Sequence, residues 1–160
     1  MTSFELYENR LTGTIPSSLG EMTAMRIFTL HTNNLKGPLP SSLGNCVNLS
    51  ELYLYGNQLT GPIPSSWANW KDLFRIELYE NVLNGTIAPL FQLRNLQELN
   101  INTNQFSGNI HDVSNLRILK ELIIYENAFT GDISSVGHLE YLRVLSLNSN
   151  SFLGEIPTSL

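Results

Sequence analysis

One phrase, L/I-x-x-N-x-L/F-x-G-x-I/L, returns seven times in this chain, first as Leu6–Asn9–Leu11–Gly13–Ile15 and last as Leu147–Asn150–Phe152–Gly154–Ile156. Its asparagines fall at Asn9, Asn33, Asn57, Asn81, Asn104, Asn127 and Asn150, so the spacing is 24 residues three times and then 23 three times. Units this short cannot bury their own apolar face and must stack on neighbours, which gives a solenoid that grows along its axis. The 160 residues are therefore expected to form one continuous domain, with units at 1–24, 25–48, 49–72, 73–95, 96–118, 119–141 and a truncated 142–160.

Within each unit the short segment before the asparagine alternates, as in Phe4-Glu5-Leu6, Leu52-Tyr53-Leu54 and Leu145-Ser146-Leu147. Period two is the signature of a strand with one buried face, so these segments are expected to stack as a parallel sheet. Two further apolar columns follow, Leu11, Leu35, Leu59, Leu83, Phe106, Phe129, Phe152 and Ile15, Leu39, Ile63, Ile87, Ile110, Ile133, Ile156, both pointing into the core. The change from Leu to Phe at Phe106 coincides with the 23-residue units, as if larger rings filled the space left by a shorter back side. The asparagine carries both donor and acceptor and is expected to satisfy backbone groups where the chain leaves the strand. The glycines fit a turn at positive φ. Pro16, Pro40, Pro64 and Pro157 imply an irregular or short-turned outer side, and Ala88, His111 and Ser134 are aligned with the prolines in the units that lack one.

The net charge of −5, with 14% charged residues, argues against a surface that holds nucleic acid or anionic lipid by basic charge. A basic or neutral partner is expected. No apolar run approaches the roughly 18 residues of a membrane span. Met1 to Gly20 lacks the charged-then-apolar layout of a signal peptide. The single cysteine, Cys46, shares its repeat position with Met22, Trp70, Leu93, Leu116 and Leu139, which predicts a buried structural thiol.

Aligned on the asparagine, the unit L-x-x-L-x-L-x-x-N-x-L-x-G-x-I-P resembles the leucine-rich repeat. Leu11-Thr12-Gly13-Thr14-Ile15-Pro16 and Leu59-Thr60-Gly61-Pro62-Ile63-Pro64 resemble its plant-type subclass across essentially the whole chain. Segments such as Leu43-Gly44-Asn45-Cys46-Val47-Asn48-Leu49 are similar to ectodomains of plant-type receptor kinases and receptor-like proteins, and to secreted polygalacturonase inhibitors. The resemblance implies an α/β solenoid, a right-handed superhelix with a concave parallel β-sheet and an irregular or short 3-10 convex side. It also implies extracellular recognition of peptides, proteins or cell-wall material. Those families seal their ends with cysteine-bearing caps, which are missing here, so the chain reads as a fragment of a longer parent.

On such a sheet the residues between the buried leucines form columns on the concave face. Two before each asparagine stand Tyr7, His31, Tyr55, Tyr79, Asn102, Tyr125 and Asn148. With strands about 4.8 Å apart this stripe spans roughly 29 Å, the length of an extended peptide or a protein edge. Tyrosine suits recognition because it joins a rigid apolar body to a polar tip, although the same spacing also lets neighbouring rings pack on one another. Glu5, Glu8, Glu51, Glu77, Glu80, Glu98, Glu121 and Glu126 share the face, against Arg26, Arg75, Lys120 and Arg143. The candidate ligand-binding set is Tyr7, His31, Tyr53, Tyr55, Tyr79, Tyr125, Glu51, Glu77, Glu80 and Glu126. An acidic face of this kind favours a cationic partner.

His31, His111 and His138 occupy unrelated repeat positions, no nucleophile is placed with a base, and an open sheet offers no deep pocket to shift a pair such as Glu77 and Glu80. No cofactor is implied and no metal-ligand spacing appears. Asn48-Leu49-Ser50 and Asn84-Gly85-Thr86 are acceptor sequons for N-glycosylation if the chain enters the secretory path. Thr12, Lys36, Thr60, Asn84, Ser107 and Thr130 form a lateral column whose threonines are interrupted by Lys36 and Asn84. The leading expectation is a non-catalytic recognition module from a receptor-type ectodomain. The alternatives are a secreted inhibitor of a basic cell-wall hydrolase and an intracellular scaffold.

Overall fold

The structure, a computed structural model, describes residues 1–160. Seven strands, Ser3–Glu5, Ile27–Thr29, Glu51–Tyr53, Arg75–Glu77, Glu98–Asn100, Glu121–Ile123 and Val144–Ser146, form one parallel sheet in sequence order. Register keeps equivalent residues side by side, so that Leu52 lies between Phe28 and Ile76. These central side chains and the following Leu30, Leu54, Leu78, Ile101 and Ile124 are buried, while their neighbours along each strand face outward. This is the concave face.

The asparagines fasten coil to coil. Asn57 donates its side-chain amide to the carbonyls of Leu54 and Tyr55 in its own coil and of Leu30 in the coil before, at 3.0–3.2 Å. Its Oδ1 accepts the Leu35 N–H at 3.0 Å. Asn33, Asn81, Asn104, Asn127 and Asn150 repeat the pattern. Backbone groups that the turn would leave unpaired are thereby satisfied by one side chain per coil.

A second seven-stranded parallel sheet follows the asparagines, built from Thr12–Gly13, Asn34–Pro38, Gln58–Gly61, Val82–Gly85, Gln105–Gly108, Ala128–Gly131 and Ser151–Phe152. From the sequence only a turn with lateral positions was expected here. The inter-coil bond from each asparagine aligns the next segment with its neighbour, and alternation then points Leu59 inward and Gln58 and Thr60 outward. The glycine at or near the end of each of these segments, from Gly13 to Gly154, has positive φ. At Gly37, with φ of +82°, an added Cβ would lie 2.9 Å from Thr14 Cγ2, so both conformation and space exclude a side chain.

The convex side carries six five-residue 3-10 helices, Ser17–Glu21, Ser41–Asn45, Ser65–Asn69, Ala88–Gln92, His111–Asn115 and Ser134–His138. The helical element of coils 1 to 6 is thus 3-10 throughout. It packs tightly on its neighbour: a Cβ on Gly44 would approach Ser66 to 2.6 Å.

The two unit lengths differ at one place. In the 24-residue coils an extended proline precedes the 3-10 helix, with Pro16, Pro40 and Pro64 at ψ of 135°, 126° and 137°. In the 23-residue coils Ile87, Ile110 and Ile133 take that position directly, at ψ of 15°, 25° and 17°. Ala88, His111 and Ser134 are therefore the first helical residues, equivalent to Ser17. They do not replace the proline, as alignment from the asparagine had them; the proline position itself is missing.

One apolar cluster of 36 buried residues runs the length of the molecule. Trp67 and Trp70 sit at its middle, fully buried with ring centroids 4.5 Å apart. Cys46 is fully buried, and burial raises its thiol pKa. Phe106 and Phe129 fill the 23-residue coils without exposure. In the first and last coils Leu6, Leu11, Leu153 and Ile156 are exposed.

Candidate functional site

Strand alternation places three side chains per coil on the concave face: six, four and two residues before the asparagine. In the last column Tyr7, His31, Tyr55 and Tyr79 stack as parallel rings, with centroids 4.6, 4.2 and 4.2 Å apart and planes 17°, 10° and 8° from parallel. Strand spacing in a parallel sheet imposes this distance, and four successive flat side chains of similar length fill it. The ring faces are consumed by one another. What the column offers a partner is a row of ring edges and polar tips.

Burial lowers the His31 pKa, with Glu8 pulling weakly the other way. Its Nδ1 lies 3.2 Å from Thr32 Oγ1. Burial raises the phenols of Tyr55 and Tyr79, and the neighbouring Tyr55 adds to the rise at Tyr79. The stack ends at Asn102, which is only 4% exposed and donates to Asn100 Oδ1. Tyr125 stands beyond it, outside the stacked group.

The other two columns hold a charged relay. Tyr53 donates to Glu51 Oε2 at 2.5 Å, Arg75 Nη1 donates to Tyr53 Oη at 3.3 Å, and Arg75 Nη2 pairs with Glu98 at 2.5 Å. Burial, then the bond to Glu51, pushes Tyr53 up to about 12. The Glu98 carboxylate raises Arg75 still further above its ordinary range, while its Nε is buried with no partner. Glu77, half-buried beside this relay, has its pKa raised by burial and by Glu98 and Glu121, against Arg75.

Glu80 and Glu126 are exposed at the strand ends, where the residue before the asparagine adopts left-handed φ of 54° and 52°. Thr103 Oγ1 lies 2.9 Å from both Glu126 Oε2 and Asn102 Oδ1, so its single proton can go to either acceptor.

Eight of the ten sequence-selected side chains stand in the three concave columns: the stack of Tyr7, His31, Tyr55 and Tyr79, the relay around Glu51, Tyr53 and Glu77, and the separate Tyr125; Glu80 and Glu126 fall outside the alternation, at the left-handed turn that ends the strand. Arg75, Glu98, Asn100, Asn102 and Thr103 belong to the same surface and were not selected. Their signal was present in the columns themselves, where Arg75 is the one cation beside Glu51 and Glu98. The left-handed turn also had a trace in sequence, since its column reads Glu8, Thr32, Gly56, Glu80, Thr103, Glu126, Ser149 and includes a glycine.

The Leucine Rich Repeat family matches residues 1–22, 48–70 and 141–160. Among solved structures, a TDR receptor superposes with a TM-score of 0.94 at 32% identity over 97% of this chain and 28% of that one. The PEPR1–AtPEP1 complex gives 0.95 at 34% identity, over 99% and 23%. The chain is a plant-type leucine-rich repeat solenoid. A third solved structure similar to this solenoid is the ectodomain of the Arabidopsis receptor kinase HAESA in complex with an N-terminally extended IDA peptide hormone, at a TM-score of 0.84 and 27% identity, over 98% of this chain and 31% of that one. The leucine-rich repeat solenoid therefore spans about a quarter of the receptor chains it matches first. A search of curated protein sequences finds no match.

Proposed function

We propose that the solenoid is a non-catalytic recognition module of the extracellular receptor type, whose concave sheet binds an extended peptide or protein segment that is basic or neutral. The observation that carries this reading is the stacked Tyr7–His31–Tyr55–Tyr79 column running alongside Glu51, Glu77, Glu98 and Glu121 on one open sheet. A rigid row of polar ring tips presents hydrogen-bonding groups at low cost in side-chain entropy, and surrounding carboxylates steer cationic groups toward it. Because the rings from Tyr7 to Tyr79 are closed against each other, the stack itself offers few of the open aromatic platforms on which sugar rings lie, which favours a peptide over cell-wall polysaccharide. Support also comes from the solved neighbours, which include receptors with bound peptides: PEPR1 with AtPEP1 and HAESA with IDA.

The test is capture of partners from extracellular extract at low and high salt, with wild type, a Tyr55→Ala/Tyr79→Ala variant and a Glu77→Gln/Glu80→Gln variant, each checked by thermal melting. A salt-sensitive partner lost in folded variants is the expected result. Retention of the partner by both folded variants overturns the concave site.

A further inference from the structure

We propose that Asn84, in preference to Asn48, is the N-glycosylated residue of this chain, and that the lateral sheet is consequently its sugar-bearing face. The inference rests on the extracellular reading above and goes beyond it by assigning a modification to a surface that recognition does not use.

The two sequons differ sharply in the fold. Asn48 Nδ2 donates to the Thr23 carbonyl of the preceding coil at 2.9 Å, and Ser50 Oγ donates to the Arg26 carbonyl at 2.9 Å. Leu49 between them is fully buried. The bond is structural in kind, because Asn95, at the equivalent position two coils later, makes the same one to the Lys71 carbonyl at 2.7 Å. Both polar groups of this sequon thus fasten one coil to the next; Asn48 is exposed, but its amide is engaged, and the Leu49 side chain beside it anchors the segment in the core.

Asn84 has no such duty. It lies in Val82–Gly85 on the outer side of the second sheet, in the fourth of seven coils, with no hydrogen bond from its carboxamide to another residue. Thr86 is likewise exposed, and Gly85 between them, at φ of +76°, adds no side chain that could crowd the acceptor. A bulky, solubilising glycan is a surface modification; both asparagines are exposed, and Asn84 is the one whose amide is free of the inter-coil bond that holds Asn48.

The transfer needs a lipid-linked oligosaccharide diphosphate as donor. Asn84 Nδ2 forms a bond to the anomeric carbon, the bond from that carbon to the diphosphate oxygen breaks, the lipid diphosphate leaves with the electron pair, and the amide gives up one proton. A branched sugar at this point covers Thr60, Gln105 and Ser107 on the adjoining strands and leaves the concave face open.

To test this, the full chain is expressed behind a secretory leader in a eukaryotic host and the secreted protein is analysed by glycopeptide mass spectrometry. The leader makes acceptor competence independent of where the natural protein resides, and the readout is independent of partner capture, so this proposal and the concave-site reading fail separately. Expected are a glycan on the Asn84 peptide, with the Asn48 peptide mostly bare, loss of the glycan in Asn84→Gln and Thr86→Ala, and its retention in Thr86→Ser. Asn84→Gln is also expected to keep the melting temperature, whereas Asn48→Gln lowers it. A bare Asn84, or occupancy at Asn48 equal to or above that at Asn84, overturns the proposal.

Discussion

Coils 1 to 4 and coils 5 to 7 share a scaffold but present different chemistry on the concave face. In the first group the column two residues before the asparagine is a closed stack of Tyr7, His31, Tyr55 and Tyr79. In the second, Asn102 and Asn148 flank a separate Tyr125, and short hydrogen bonds link Asn100, Asn102, Thr103 and Glu126. The back side changes at nearly the same point, where the extended proline before the 3-10 helix is lost in coils 4 to 6, to return in sequence as Pro157 in coil 7. A solenoid permits this because each coil answers only to its neighbours, so surface chemistry and unit length can change part-way along while the asparagine ladder continues.

If the scaffold is common to both halves, removing one rung should hurt each equally. Asn57→Ala and Asn127→Ala each delete four hydrogen bonds and strand a buried backbone N–H, at Leu35 and Phe106 respectively. Both should lose about 3 kcal/mol in chemical denaturation. A clear inequality between them would break the claim of a shared scaffold.

The concave faces, by contrast, should respond unequally. Tyr55→Ala removes two ring contacts, each of about 0.5–1.5 kcal/mol, and is expected to cost about 2 kcal/mol, whereas Tyr125→Ala, outside the stack, should cost about half of that or less. Equal losses would mean that the stack adds nothing to stability.

The halves should also differ toward acid. Burial lowers the His31 pKa, so the unfolded chain binds its proton more readily than the folded one. The neutral ring's contribution is complete above about pH 6.5 and is lost as the pH falls through the lower folded value. His31→Phe should flatten this part of the melting-temperature profile. An unchanged profile would place the acid sensitivity elsewhere.

The smallest effect concerns Glu77. Its raised pKa means that the ionised form is disfavoured by folding, so Glu77→Gln should raise the melting temperature slightly at pH 7, with the gain vanishing as the carboxyl protonates in acid. A lower melting temperature at pH 7 would show that Arg75 stabilises Glu77 more than burial opposes it.

Much of this was legible in the sequence because the repeat supplies an internal alignment. The asparagine rungs, the buried leucine columns and the place of Cys46 follow from period and alternation, as do the columns that carry eight of the ten candidate side chains, Glu80 and Glu126 being outside them. Three things were not legible. The second sheet depends on inter-coil bonds from Asn33, Asn57 and their equivalents, which no single unit displays. The missing proline could not be located by counting from the asparagine, since Ala88 fills its column in sequence while occupying the Ser17 position in space. The role of Arg75 required knowing that Tyr53, Glu51 and Glu98 reach it across strands.

The paired indoles of Trp67 and Trp70 turn this architecture into its own reporter. They are the two tryptophans of the chain and both lie in the third coil, so intrinsic fluorescence samples the middle of the solenoid and is blind to either extremity. If coils away from the third unravel before it, the emission shift will lag behind the loss of circular dichroism during denaturation. The interval between the two curves then measures how far unravelling travels before the centre gives way.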